Sequence, residues 1–81
     1  MPRKTTTDDI QLRKTIANRL WSSMDDQGIT QVDLAKQSGV SESTVSSILY
    51  EKQTASISVI VAISRAIFIS IDYLCGVSDD R

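Results

Sequence analysis

Residues 29–49 constrain this chain more than any other stretch. Thr30 stands before Gln31, Val32, Leu34 and Ala35, Gly39 follows, and Ser41 opens a run in which Val45, Ile48 and Leu49 fall at i, i+3 and i+4. Threonine and serine accept from the free amides that begin a helix, so Thr30 and Ser41 mark two helix starts. Asp33, three residues after Thr30, completes a variant of the capping box. Gly39 supplies a position where positive φ costs little. The spacing predicts two short helices, over residues 31–37 and over residues 42–50, joined by a tight turn. Neither helix buries much apolar surface alone, so the rest of the chain must supply a core.

The flanking pattern does so. Leu12, Ile16, Leu20 and Met24 recur every fourth residue, with Trp21 alongside, which predicts an amphipathic first helix reaching about Gln27 and stopped by Gly28. Ser56 caps a fourth helix whose expected core face is Ile57, Ile60, Val61, Ser64 and Ile67, leaving Val59, Ala62 and Ala66 pointing away and Ile63 on the flank. A β-ribbon competes there, because residues 57–63 and 67–71 are rich in β-branched side chains. Helix is preferred: strict alternation fails at residues 59–63 and no turn dipeptide interrupts the stretch. A last short helix, residues 70–75, is marked by Ile71 and Leu74 and ends at Gly76. With 81 residues there is room for one domain. The expectation is an all-α domain of five helices over residues 8–76, with a flexible basic arm before it (1–7) and a polar tail after it (77–81) that frays from Asp79.

Composition excludes several chemistries. There is no histidine and a single cysteine, so neither a His/Cys metal site nor a Ser-His-Asp or Cys-His catalytic set can be built. No convergent acid–base set replaces them, and neither an enzyme nor a cofactor is expected. Cys75 reads as a small buried hydrophobe and Trp21 as a core residue. No apolar run approaches the ~20 residues of a membrane span, and the basic start leads into residues 5–9 with no apolar signal core; the expected location is the cytoplasm. Net charge is −1, but Arg3, Lys4, Arg13, Lys14 and Arg19 crowd the first quarter, whereas Asp72, Asp79 and Asp80 crowd the end. A chain polarised in this way can present a basic face to a polyanion despite its balance.

Two short helices joined through a glycine, the second opening Ser-x-x-Thr, form the pattern of a helix-turn-helix. The sequences 30–35 (Thr-Gln-Val-Asp-Leu-Ala), 39–41 (Gly-Val-Ser) and 44–46 (Thr-Val-Ser) resemble the Cro/C1-type, lambda-repressor-like DNA-binding domain, and residues 69–74 resemble that family's closing helix. The likeness covers roughly residues 19–74 without a gap. It implies that the second helix aims its N-terminal amides at DNA phosphate, with Thr30 and Gln31 at that end. Ala35 stays small where helices approach closely, and Val40, Val45 and Ile48 face inward. Ser41, Glu42, Ser43, Thr44, Ser46 and Ser47 then lie on the side that enters the major groove. Tyr50, Lys52, Gln53 and Thr54 follow where relatives touch the backbone, and Arg3 and Lys4 would form a basic arm. Several of these have a plainer alternative: a helix-dipole carboxylate for Glu42, a solvated loop for residues 52–54, a helix end for Tyr50, and a disordered N-terminus for Arg3 and Lys4.

The departures from the family are informative too. Relatives commonly carry an arginine four residues before the glycine that ends the first helix, and a glutamate after the recognition helix, as a partly buried ion pair. Here those positions hold Met24 and Leu49. Loss of both charges together is physically coherent, since removal of one strands the other; Met24 and Leu49 are therefore expected to meet. The family's glycine after the third helix is Glu51, its proline before the fourth is Ala55, and its glycine near the fourth helix end is Phe68.

The resemblance implies a sequence-specific transcriptional regulator, foremost a repressor, binding double-stranded DNA. The surplus apolar surface of the fourth helix implies a partner, most simply a second copy that reads the other half of a palindrome, through Val59, Ile63, Phe68 and Ile69. The alternative is an antitoxin or other protein-binding module, in which that surface holds a different protein and DNA binding is secondary.

Overall fold

The computed structural model describes residues 7–79. Among them are five helices and no strand: α1 (Thr7–Gln27), α2 (Gln31–Ser38), α3 (Glu42–Leu49), α4 (Ile57–Ile67) and α5 (Ile71–Leu74). Three caps, Thr30, Ser41 and Ser56, fall where the sequence puts them, and Ser70, read as the start of the last helix, is the cap of α5. Thr30, Ser41, Ser56 and Ser70 each sit in extended backbone and accept from the amide three residues on. Each thereby satisfies one of the amides that a helix start leaves without a partner. The β-ribbon alternative is excluded, because α4 runs without interruption through the β-branched stretch.

One core serves all five helices. α1 packs on α3 and α5, α2 packs on α3 and α4, and α4 closes on α5. Ile16, Leu20, Leu34, Val45, Ile48, Ile63, Ile67 and Leu74 are fully buried at the centre. Met24 and Leu49 are 3% and 2% exposed and belong to this same cluster, on two helices that pack together. Both positions expected to have lost their charges are thus apolar positions of one core.

The phase of α4 differs from expectation. Its buried stripe is Ile60, Ile63, Ser64 and Ile67, at i, i+3, i+4 and i+7, whereas Val61 is half-buried and Ile57 is 82% exposed. Ser56 as the cap makes Ile57 the first helical residue, on the solvent side. Because α4 is apolar nearly all round, its pattern alone left the direction of the core open. Val59 and Ala66, expected to point away, are partly buried against the core. Val32, part of the apolar content of α2, is exposed, and Leu34 and Ala35 are the buried residues of that helix.

Two other expectations are also revised. Trp21 is not a core residue: it is partly exposed, its indole N–H donates to the Leu49 carbonyl at 3.0 Å, and its ring meets Tyr50 edge-on at 5.8 Å. The tail is held as far as Asp79. Arg19 donates to the carbonyls of Tyr73 (3.1 Å) and Ser78 (2.7 Å), pairs with Asp79 at 3.0 Å, and lies 4.4 Å over the Tyr73 ring. At the same end Gly76 adopts φ +83°, and a Cβ there would come within 2.7 Å of Thr15 on α1. Only glycine fits both that backbone and that approach.

Among the described residues the buried serines are Ser64 and Ser23, and they differ. Ser64 donates to the Val61 carbonyl at 3.1 Å, while Ser23 is fully buried on α1 with no hydrogen-bond partner for its Oγ. An unmet buried hydroxyl costs about 1–3 kcal/mol. Ser23→Ala removes that cost together with one small polar atom, so urea denaturation is expected to show unchanged stability or a gain of about 1 kcal/mol. A clear loss would mean that Ser23 has a partner.

Candidate nucleic-acid interface

The candidate interface comprises α2, α3 and the loop that follows. α2 begins with the expected capping box: the Thr30 side chain accepts from Asp33 N at 3.2 Å, and the Asp33 carboxylate accepts from Thr30 N at 3.0 Å. That leaves a rigid, amide-rich helix start. A bond from the Thr30 backbone and another from its side chain hold Asp33 below the ordinary carboxylate range, Lys36 adds to the effect, and desolvation opposes it. The folded-state pKa is depressed, so this stabilisation is complete above the unfolded value near 3.9 and is lost as pH falls through the folded value. Asp33→Asn is accordingly expected to flatten the acid limb of a stability-against-pH curve below about pH 4. An unchanged acid limb would remove Asp33 from acid unfolding.

Gly39 ends α2 with φ +75° and no neighbour where a Cβ would stand, so it is required by conformation and not by space. Ser41 then caps α3: its Oγ accepts from Thr44 N at 3.2 Å and donates to Thr44 Oγ1 at 2.9 Å. Val45, Ile48 and Leu49 anchor α3 in the core. The opposite stripe is Ser43, Ser46, Ser47 and Tyr50, spaced i, i+3, i+4 and i+7. Ser43 and Glu42 are exposed and Ser46 and Ser47 half-buried, so the outward face of α3 is a row of hydroxyls flanked by one carboxylate. Such short groups touch base edges permissively and carry no charge to phosphate.

Tyr50 caps the C-terminal end of α3 and is exposed. Trp21 fixes this end, bonding the Leu49 carbonyl and bracing the Tyr50 ring. Trp21 also lines a groove of about 300 Å³ with Met24, Asp25, Ile29, Thr30 and Gln31. The first helix therefore ties the end of α3 to the start of α2. Nothing in the sequence signalled this role, since a tryptophan beside an apolar stripe reads as core.

Glu51 takes φ +62°, the left-handed conformation that the resemblance assigns to glycine. Its N–H donates to the Ile48 carbonyl at 3.1 Å and the Lys52 N–H to Ser47 at 2.8 Å, so the helix end closes as it would around glycine. The turn after α3 is thus closed with glutamate where the resemblance expects glycine. Lys52 and Gln53 are exposed on this loop, while Thr54 accepts from Arg13 Nε at 2.9 Å. Arg13 was not foreseen, because no sequence signal pairs positions 41 apart. Arg3 and Lys4 lie outside the described residues.

Of the residues expected at a dimer contact, Ile63 and Ile69 are buried in the core and unavailable. The left-handed backbone at Phe68 (φ 58°) explains Ile69: it reverses the chain, turning Phe68 outward to 89% exposure and Ile69 inward. Val59 is half-buried. Cys75 is half-buried against the core, and burial first, then Asp72, pushes its thiol pKa up, away from reactivity.

No helix among the described residues is long and apolar enough to cross a membrane, and no cluster of metal-ligating side chains occurs among them. No curated protein and no solved structure matches the chain. A family model described as helix-turn-helix matches residues 24–74, more than half of the sequence, and spans α2, α3, α4 and α5. Matched over that length, with the two capped helices and the glycine turn in place, the chain belongs to the Cro/C1-type helix-turn-helix family of DNA-binding transcriptional regulators.

Proposed function

We propose that the protein is a cytoplasmic transcriptional repressor that binds a palindromic operator as a homodimer, with α3 in the major groove. The observation that carries this reading is the outward row Ser43, Ser46 and Ser47 on a helix whose other face is locked in the core. Thr30 and Gln31 would meet phosphate at the start of α2, and Lys52 and Gln53 would do so after α3. Ser41 and Thr44 hold each other and serve chiefly to set the helix start. With no arginine, asparagine or glutamine on the α3 face, shape and deformability of the operator would supply part of the specificity.

Phe68 supports the dimer. A phenylalanine held in a left-handed conformation at 89% exposure gains nothing within its own chain. Selection of bound sites from random duplex tests the whole reading. Inverted repeats with half-sites about one helical turn, 10–10.5 bp, apart are the expected result; absence of any enriched repeat overturns the dimeric repressor. The antitoxin reading finds its support in Ile57, which is 82% exposed at the other end of α4 from Phe68.

A further inference from the structure

The segment that docks on DNA is short of positive charge. Between residues 29 and 55 the basic residues are Lys36 and Lys52, against Asp33, Glu42 and Glu51. A polyanion contacted by this surface alone would meet a net acidic face, and phosphate neutralisation is the main source of affinity for duplex DNA. The charge has to come from elsewhere in the fold.

α1 offers it. The helix begins at Thr7, well before the family match opens at Met24, and this extra length carries Arg13, Lys14 and Arg19. Arg19 is committed to the C-terminal segment through two carbonyls, Asp79 and Tyr73. Arg13 is placed differently. Its Nε donates to Thr54 Oγ1 across 41 positions, bringing a half-buried guanidinium against the loop that carries Lys52 and Gln53. No other described residue bonds Arg13, and no described carboxylate pairs with it. One edge of the fork is thus fixed by a neutral hydroxyl while both terminal nitrogens keep their donors. That geometry suits bidentate capture of an anion with two oxygens, which a phosphodiester supplies.

We propose that Arg13 is a backbone-phosphate ligand of the DNA complex, held in position by the Thr54 hydroxyl. The inference rests on the reading that residues 51–54 lie along the DNA backbone. Thr54 is then a positioning residue, not a phosphate contact in its own right, and the upstream half of α1 extends the interface beyond the helix-turn-helix.

The test is the salt dependence of binding by the full chain to a fixed duplex, with the thermal midpoint of each variant measured in parallel. Arg13→Gln is expected to weaken binding roughly fivefold to tenfold near 0.1 M salt and to lower the slope of log K against log salt by about 0.9, one phosphate's worth. Arg13→Lys keeps the charge and is expected to retain the slope. Thr54→Val weakens binding in the unaltered chain and adds nothing in the Arg13→Gln background, as a double-mutant cycle reads a shared interaction. An unchanged slope in Arg13→Gln, on a chain that otherwise binds with a steep slope, overturns the assignment of Arg13 alone. Additive effects of the two variants overturn the role of Thr54. Absence of salt-dependent binding by the unaltered chain overturns both this proposal and the reading beneath it.

Discussion

Replacing Leu49 by glutamate is expected to cost the domain roughly 3–5 kcal/mol, the usual result of leaving one charge buried without a partner. Leu49 is 2% exposed and sits among Met24, Val45 and Ile48 in the single core. No basic side chain is among the residues that make up that cluster. A carboxylate there must either protonate or drag α3 outward, and for a domain of this size such a loss approaches the whole folding free energy. Met24→Arg added to Leu49→Glu is expected to return most of the loss, because it restores an ion pair at two positions of the same cluster. Met24→Arg alone should be milder than Leu49→Glu alone. Met24 borders the groove beside Trp21 and Asp25, through which a long side chain can carry its charge to water. Urea denaturation of the two single variants and the double gives the coupling directly. If the double variant is as unstable as the sum of the singles, the two positions do not form a pair.

Most of this fold was legible because its signals are local. A cap hydroxyl, a carboxylate three residues on and a glycine at the turn act within one or two helical turns, so Thr30, Asp33, Gly39 and Ser41 could be placed from the sequence. What was illegible depends on contacts between distant segments. The apolar residues of α4 surround the helix, so only the positions of α2 and α5 decide that Ile63 and not Ile57 is buried. Trp21 and Arg13 act through partners 28 and 41 residues away, and no periodicity encodes such pairings. Glu51 is a third kind of case. The left-handed turn it makes is demanded by the two amide bonds that close α3, and tertiary structure holds a non-glycine residue there against its preference.

Phe68 shows the same override, and it gives the second large effect. Phe68→Gly is expected to move folding and association in opposite directions. An L-residue in the left-handed region costs about 1–2 kcal/mol, whereas glycine forfeits about 0.5–1 kcal/mol through its freer unfolded chain. At 89% exposure the ring contributes almost no burial within its own protomer. The isolated domain should therefore be unchanged or more stable by up to about 1.5 kcal/mol, read by urea denaturation at low protein concentration. Association should fall if Phe68 is the apolar anchor of the dimer, with Ile71 on the first turn of α5 also exposed nearby in the chain. Loss of linkage between two half-site contacts lowers affinity for a two-half-site operator by roughly 10²–10⁴, while affinity for a single half-site stays as it was. Phe68→Asn separates the causes: it keeps a residue tolerant of left-handed backbone and removes only the apolar ring. Sedimentation equilibrium together with operator titration reads both quantities. A glycine variant that dimerises as tightly as the unaltered chain would show that the ring serves some other partner, and the strained backbone at Phe68 would then have to be explained by that partner instead.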